Sequence, residues 1–149
     1  MGEPYLLATD GSDQARRAED FFIEAFDPSS TRVIVVSVTE QFPPGIIKEG
    51  ESLTKEAKVL RNELSEEVRS IAESSQDRLR EAGFDVEITL LAGDPGSEIC
   101  EHARKVDAAG IVLGRRGHGE VTELLMGSVS QYVVHHSPVP VTLVPYNSG

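Results

Sequence analysis

The 149-residue chain is poor in cysteine and in aromatic residues: it has one cysteine, no tryptophan and 5% aromatics. The single thiol, Cys100, cannot form a disulfide within the chain, and no metal-ligand spacing surrounds it. We therefore expect an inert thiol and a reducing, cytoplasmic setting. The sequence also lacks an apolar run of membrane-spanning length and a charged-then-apolar signal pattern, so we expect neither a membrane span nor a secretory signal.

Basic residues are scarce as well. Lysine and arginine number 14 against 25 aspartate and glutamate residues, which gives a formal net charge of −11. Such a charge argues against nonspecific binding to nucleic acid or to anionic membranes. An anionic ligand would need donors concentrated in one place, and the adjacent Arg115 and Arg116 are candidates. With 39% hydrophobic and 26% charged residues, the composition predicts one soluble domain over residues 1–149.

Secondary structure is indicated by apolar runs that alternate with amphipathic segments. Apolar or β-branched runs predict five strands, over Tyr5–Thr9, Arg32–Val38, Phe84–Leu91, Ala108–Leu113 and Val139–Val144. Apolar residues at intervals of three and four predict four helices between them, over Ser12–Phe26, Leu53–Ala82, Asp94–Val106 and Ser128–His136. Ser12 and Asp94 are the predicted N-caps, Gly83 is the predicted C′ residue, and Glu40–Gly50 is a predicted loop.

The alternation of strands and helices predicts an α/β fold with a single open, doubly wound, five-stranded parallel sheet and helices on both faces. The alternating polarity of Phe84–Leu91 places that strand near a sheet edge. In such sheets ligands bind beyond the carboxyl ends of the strands, where the winding reverses. Asp10, Val38 and Gly114 all come at or near strand carboxyl ends, so we expect three segments to meet in one crevice.

The most informative stretch is Gly114–Ser128, which reads G-R-R-G-H-G-E-V-T-E-L-L-M-G-S. It joins a predicted buried strand to a predicted helix, and its glycines let the backbone approach an anion and take positive φ. The N–H groups and the positive dipole end at the helix start would then attract phosphate. The loop has no lysine, so it is not a P-loop, and Asp10-Gly11-Ser12 does not supply a dinucleotide fingerprint after the first strand.

These residues resemble the universal stress protein family in its nucleotide-binding branch, whose G-x2-G-x9-G-Ser/Thr motif is matched by Gly114, Gly117, Gly127 and Ser128. The resemblance covers nearly the whole chain, through segments that occur in the family's order: L-L-A-T-D-G-S at the start, Ser37-Val38, Gly93-Asp94-Pro95 with Ile99 and Ala103, Gly127–Ser130, and Pro138–Val141. It implies a Rossmann-like fold of the adenine nucleotide alpha hydrolase-like type.

The resemblance also implies a site for ATP, or for AMP or ADP, with Mg²⁺ or Mn²⁺ bound through the phosphates. Ala8, Thr9 and Asp10 would line the adenosine pocket, and Val38 would contact adenine partly through its backbone. The other implied contacts go to the ribose and phosphates, from Gly114, Arg115, Arg116, Gly117, His118, Gly127, Ser128, Val129 and Ser130. The last strand, Val139–Val144, is implied to form a homodimer, because an apolar edge strand invites pairing with a second copy.

A structural role is the alternative for each of these residues. Asp10 and Ser128 are ordinary helix-capping types, Val38 fits a buried strand, and the arginines and histidine of the loop fit solvated side chains. The adjacent pair His135–His136 lies on a helix, so its two rings point in different directions and do not suit one metal ion. His102 has no metal-spaced partner.

Four functions compete. We expect a nucleotide-binding stress or signalling protein in which the nucleotide is a regulatory ligand of a homodimer. The alternative is a slow Mg-dependent ATPase or phosphotransferase, for which Glu120 and Asp10 are the only candidate bases. A receiver-type signalling domain needs an acidic pair after the first strand and a lysine after the fifth, and this sequence has neither. A purely structural dimerisation module would have no need of the bare donors in the glycine–serine motif.

Overall fold

A computed structural model describes the backbone of residues 2–39, 55–115 and 127–145, with side chains for the same residues except 55–65. Within these ranges strands and helices alternate along the chain. The elements are β1 Glu3–Ala8, α1 Asp13–Ala25, β2 Thr31–Thr39, α2 Lys55–Glu81, β3 Asp85–Ala92, α3 Pro95–Lys105, β4 Gly110–Gly114, α4 Ser128–His136 and β5 Val141–Val144. The predicted loop Glu40–Gly50 lies outside the described residues.

The five strands run parallel in one sheet, in the order β3-β2-β1-β4-β5. Helices α1 and α2 cover one face, where Phe22 and Leu79 enter the core. Helices α3 and α4 cover the other face, where Ile99 and Val133 do the same. The winding therefore reverses between β1 and β4. The predicted doubly wound parallel sheet is confirmed, and β3 lies at an edge, as its alternating pattern predicted.

The strands at the centre of the sheet are apolar without interruption because both of their faces are covered. In β1, Leu7 faces α1 and α2 whereas Leu6 faces α3 and α4, and neither side chain is exposed. The same alternation runs through Val33–Val36 in β2. Burying a leucine or valine in this way contributes roughly 1.5–3 kcal/mol. The runs end at Thr9 and Ser37, which are buried but polar.

Strands β4 and β5 each begin two residues later than their apolar runs predict. The N–H of Ala108 donates to the carbonyl of Ala103 (3.0 Å), so it completes the end of α3 instead of joining the sheet. Val139 lies in a turn in which its N–H donates to the hydroxyl of Ser137 (3.1 Å). Pro140 has no N–H to give to a ladder, and regular pairing begins only after it.

Both predicted N-caps are confirmed. The hydroxyl of Ser12 accepts the N–H of Ala15 (3.1 Å) at the start of α1. The carboxylate of Asp94 accepts the N–H of Ser97 (3.1 Å) at the start of α3. Gly83, the predicted C′ residue of α2, has a φ of +99°, the left-handed conformation that this position favours. The local signals in the sequence thus set where these helices start and stop.

Candidate functional site

Three neighbouring strands end where the winding of the sheet reverses. Because β1 lies between β2 and β4, the segments that follow the three strands are neighbours. Asp10 comes just after β1, Val38 lies at the end of β2, and Gly114 ends β4. The strand order thereby brings together the three segments that the sequence assigns to one crevice.

The turn between β1 and α1 is held by hydrogen bonds to its own side chains. The hydroxyl of Thr9 accepts the N–H of Gly11 (3.2 Å), and the carboxylate of Asp10 accepts the N–H of Ser12 (2.9 Å). Gly11 has a φ of +81°, a left-handed conformation that glycine adopts at little cost. Thr9 is buried whereas Asp10 is exposed. The turn therefore presents the Asp10 carboxylate on a fixed backbone at the strand ends.

Ser37 ties the end of β2 to the same turn. Its buried hydroxyl donates to the carbonyl of Thr9 (3.0 Å), while the N–H of Thr9 donates to the carbonyl of Val36 (3.0 Å). From the sequence alone, Ser37 is only the residue before Val38 and is not among the predicted site residues. The signal that would have found it is a serine within a run of buried β-branched residues, since a buried hydroxyl needs a partner.

The loop that follows β4 is closed at its base. The N–H of Gly127 donates to the carbonyl of Arg115 (2.9 Å), and the N–H of Arg115 donates to the carbonyl of Val144 in β5 (3.0 Å). The hydroxyl of Ser130 contacts the same Arg115 carbonyl and lies 3.1 Å from the carbonyl of Gly127. These contacts fix the start of α4 against the end of β4.

The N-terminus of α4 has no side-chain cap. Its N-cap is Gly127, and the first bond within the helix runs from the N–H of Gln131 to the Gly127 carbonyl (2.9 Å). The N–H groups of Ser128, Val129 and Ser130 precede that bond, so they have no acceptor within the helix. Together with the positive end of the helix dipole, such groups suit an anion.

Glycine at position 127 is not required by its backbone conformation. Gly127 has a φ of −69° and a ψ of 161°, an extended conformation that any residue adopts. The expectation that a motif glycine takes positive φ therefore does not apply here. Glycine is itself a favourable N-cap residue, and it also lets another group approach its Cα closely.

The predicted site residues Arg116, Gly117 and His118 lie outside the described residues, as does the candidate base Glu120. The other predicted residues lie in four segments around the strand ends, namely Ala8–Asp10, Val38, Gly114–Arg115 and Gly127–Ser130. The hydrogen bonds of the β1–α1 turn hold the first of these segments, and those of the loop base hold the last two.

A polar recess of about 200 Å³ opens beside the β1–α1 turn, between α1 and α2. Glu19 of α1 lines it and is buried. Arg78 of α2 pairs with Glu19 (Nη1 to Oε1, 3.0 Å) and also with Asp20. Burial raises the pKa of Glu19 above its ordinary value of 4.5, against the opposing effects of Arg78 and Ser75. This cluster joins two helices on the α1–α2 face, whereas α4 lies on the other face.

The thiol and three of the histidines lie in the described part of the chain. Cys100 is buried, and burial raises the pKa of its thiol. His135 and His136 are exposed, and the ring of His136 stacks on Tyr132 with centroids 4.0 Å apart. Burial lowers the pKa of His102. In the part of the chain that the structure describes, no three His, Cys, Asp or Glu side chains are grouped to hold a metal ion.

No helix among the described residues combines the length and the apolar character that crossing a membrane requires.

The chain matches proteins of one family over nearly its whole length. The model of the universal stress protein family matches residues 2–145. A Thermus aquaticus protein, the universal stress protein in the QAH/OAS sulfhydrylase 3′ region, is 38% identical over 144 residues, which cover 97% of this chain and 99% of that protein. The universal stress protein YxiE of Bacillus subtilis is 30% identical over 150 residues, with 97% and 99% covered.

Solved structures show the same fold. The protein MJ0577 superposes with a TM-score of 0.84 at 27% identity, covering 100% of this chain and 99% of that one. A universal stress protein in complex with cAMP superposes with a TM-score of 0.72 at 24% identity, covering 97% and 98%. An Arabidopsis thaliana family protein with AMP bound gives 0.70 at 18% identity, covering 98% and 93%. At those lower identities the likeness is one of fold alone.

Proposed function

The chain belongs to the universal stress protein family, and from that membership and the geometry of the strand ends we propose that it binds an adenine nucleotide as a regulatory ligand. The observation that carries the proposal is the start of α4. There a glycine N-cap and three N–H groups without acceptors in the helix are fixed to the end of β4, beside the reversal in winding. The G-x2-G-x9-G-Ser motif that ends at this point supports the same ligand.

The phosphates are proposed to bind at the first turn of α4. The N–H groups of Ser128–Ser130 are the donors, and the exposed Ser128 adds its hydroxyl. The hydroxyl of Ser130 is engaged with the carbonyls of Arg115 and Gly127, so its contribution is to hold the loop base. The adjacent Arg115–Arg116 supplies positive charge, which a chain of net charge −11 needs near a bound anion.

The adenosine is proposed to bind across the ends of β1 and β2. Asp10 is exposed, and the N–H of Ser12 orients its carboxylate, which suits it to accept a hydrogen bond from a ribose hydroxyl. Ala8 and Val38 are half-buried at the strand ends and supply apolar surface. Adenine needs such a surface together with a few fixed donors and acceptors. Thr9, which is buried, sets the backbone that links these groups.

Solved structures of the same fold support the choice of an adenine nucleotide. One universal stress protein is in complex with cAMP, and an Arabidopsis thaliana member of the family has AMP bound. Adenosine and phosphate are common to both ligands. These complexes leave the number of phosphates open, and we propose ATP, or AMP or ADP, for this chain.

A divalent cation is proposed to enter with the nucleotide. The described residues contain no group of three acidic, histidine or cysteine side chains that would hold a metal, so Mg²⁺ or Mn²⁺ would be carried by the phosphates. Phosphoryl transfer depends on positioned charge and metal. We propose that the nucleotide shifts conformation or partner affinity and is not consumed as a fuel.

The two edges of the sheet differ in a way that bears on assembly. At one edge, β3 presents exposed Asp85 and Glu87, and Glu87 pairs with Arg32 (3.0 Å). Charged side chains on an edge strand discourage pairing with another strand. At the other edge, the short strand β5 carries Val141 and Leu143, which are apolar.

The free side of β5 is proposed to pair with a second copy of the chain. The carbonyls of Pro140 and Val144 accept hydrogen bonds from the β4 side, so the backbone groups of Val141 and Leu143 face the free edge. A homodimer through Val139–Val144 would satisfy them. Light scattering at micromolar concentration is expected to give twice the mass of one chain, and the mass of a single chain would contradict the homodimer.

The nucleotide proposal is tested on the freshly purified protein. The protein is denatured, and the supernatant is run on anion exchange beside ATP, ADP and AMP standards. A stoichiometric adenine nucleotide is the expected result, and its position on the column gives the phosphate state. A protein that is empty and also gives a flat calorimetric titration with ATP and Mg²⁺ would contradict the proposal. Phosphate release above a buffer blank would favour the ATPase alternative over a regulatory ligand.

A further inference from the structure

The hydrogen-bond ladder between β1 and β2 stops three residues before β2 ends. Its last paired residues are Ala8 and Val36, and the N–H of Thr9 donates to the Val36 carbonyl (3.0 Å). One further step of a parallel ladder would need two more bonds. They would run from the N–H of Val38 to the carbonyl of Thr9, and from the N–H of Gly11 to the carbonyl of Val38.

Val38 would bond to the carbonyl of Thr9 and to the N–H of Gly11, but both of these groups are bonded to side-chain hydroxyls. The hydroxyl of Ser37 donates to the carbonyl of Thr9 (3.0 Å), and the hydroxyl of Thr9 accepts the N–H of Gly11 (3.2 Å). Val38 therefore does not pair with β1, and Thr9 is the first residue after the strand. The two side chains end the ladder at a defined residue.

The backbone of Val38 faces the gap that this ending leaves. In a parallel sheet the N–H and C=O of one residue point to the same neighbour, and successive residues point to opposite neighbours. The carbonyl of Val36 is bonded to the β1 side, and the carbonyl of Thr39 to Gly93 on the β3 side (2.9 Å). By this alternation both polar groups of Val38 point toward the end of β1, where Asp10 follows.

We infer that Ser37 is a positioning residue of the nucleotide site, because its hydroxyl keeps the N–H of Val38 out of the β1–β2 ladder and leaves it for the base of the ligand. The inference rests on the proposed nucleotide site only for the identity of the ligand. The role of Ser37 in ending the ladder depends only on contacts within the chain. It is a buried serine whose hydrogen bond to the carbonyl of Thr9 joins two of the segments proposed to hold adenosine.

Replacing Ser37 with alanine has a specific expected consequence. The carbonyl of Thr9 would lose its donor, and a buried carbonyl strongly favours gaining another one. The N–H of Val38 is the next donor in ladder order. The ladder would then extend by one step, and the Val38 N–H would bond to Thr9 and no longer to the ligand. The number of backbone hydrogen bonds in the fold would hardly change.

The experiment compares S37A with S37T, which keeps a hydroxyl, and with T31V as the matched control. Thr31 is buried on the same face of β2 at its other end. Calorimetry with ATP and Mg²⁺ measures affinity, and hydrogen exchange of the Val38 amide in the ligand-free proteins measures the ladder. S37A is expected to bind about tenfold more weakly and to protect the Val38 amide more than the wild type. S37T and T31V are expected to match the wild type in both readouts.

Each other outcome is decisive. Wild-type affinity in S37A, together with unchanged hydrogen exchange of the Val38 amide, would overturn the inference. An equal loss of affinity in T31V would also overturn it, because that loss would report general destabilisation. If S37A does not fold, S37C replaces it, and its weak S–H donor is expected to give an intermediate affinity. If the wild type binds no adenine nucleotide, the proposed function fails, whereas the exchange of the Val38 amide still tests the role of Ser37.

Discussion

Helices α1 and α4 begin at the same end of the sheet, after the neighbouring strands β1 and β4, yet their first turns are built differently. In α1, the hydroxyl of Ser12 accepts the N–H of Ala15, and Asp13 places a negative charge in the first turn. In α4, Gly127 offers no side chain, and the first turn has no acidic residue. The start of α3 resembles that of α1, since Asp94 caps it.

This difference separates a structural helix start from one that suits a ligand. A Ser or Asp cap typically contributes about 1 kcal/mol relative to alanine, and α4 does without that contribution. In α1 and α3 an oxygen of the chain itself occupies the position that an anion would take. In α4 the N-cap Gly127 supplies no such oxygen, and the phosphate of a nucleotide is the group that we propose takes that position.

Adding a side chain at residue 127 would remove the difference between the two helix starts. Gly127→Val is expected to reduce ATP affinity at least about 100-fold, or about 3 kcal/mol, because the side chain would occupy the approach of the phosphate. The φ of −69° accepts valine, so the fold should persist. Calorimetry measures the affinity, and Gln131→Val, at an exposed position of the same helix, is the control. An unchanged dissociation constant for Gly127→Val would show that the phosphates bind elsewhere.

Asp10, which precedes α1, either holds the turn alone or also binds the ligand, and a substitution distinguishes the two roles. Asp10→Ala is expected to weaken binding by roughly 1–3 kcal/mol, because it removes an acceptor for the nucleoside. Asp10→Asn keeps an oxygen for the N–H of Ser12 and serves as the control for the turn. Calorimetric titration with ATP gives both affinities. If Asp10→Ala binds as the wild type does, Asp10 is a turn residue only.

Removing a cap from a helix start that holds no ligand should affect stability alone. Asp94→Ala is expected to lower the free energy of unfolding by about 1 kcal/mol, since the N–H of Ser97 would lose its acceptor. ATP affinity should stay at the wild-type value, because α3 starts after β3, at the edge of the sheet. Urea unfolding and calorimetry measure the two quantities. A loss of affinity that matches the one in Gly127→Val would mean that the α3 and α4 starts do not differ in role.

The smallest expected effect concerns the buried carboxylate of α1. Burial raises the pKa of Glu19 above 4.5, so the folded state binds the proton more tightly than the unfolded state does. The resulting stabilisation is complete below the unfolded pKa and is lost as the pH rises through the folded pKa. Glu19→Gln cannot titrate, so its stability relative to the wild type should increase as the pH rises from about 4.5. Urea unfolding across pH 4 to 8 tests this, and a constant difference would contradict the raised pKa.

Much of the fold could be predicted because the signals for it are local. The uninterrupted apolar runs of β1 and β2 indicate strands covered on both faces, and Ser12 and Asp94 are recognisable caps. Strand alternation then gives the doubly wound sheet and brings Asp10, Val38 and Gly114 to neighbouring strand ends. Here the sequence pattern and the packing depend on the same periodicities.

What the sequence could not show depends on partners that are distant along the chain. Ser37 contacts Thr9, 28 residues away, and that contact depends on the register of β1 against β2. Glu19 is buried although it is an acidic residue, and Arg78, 59 residues away, reaches it from α2. Neither pairing can be predicted from the spacing of residues within one helix or strand. The late starts of β4 and β5 have a local cause, the turn bonds at Ala108 and Val139, which compete with strand pairing.

The most direct test follows the backbone amides of the two kinds of helix start while ATP and Mg²⁺ are added. In ¹⁵N–¹H spectra of the wild type, the amides of Ser128, Val129 and Ser130 are expected to shift strongly. The amide of Ser97, which Asp94 already caps at the start of α3, should stay in place. If the amide signals at the start of α4 do not shift in a protein saturated with ATP, the phosphates do not bind at this helix start.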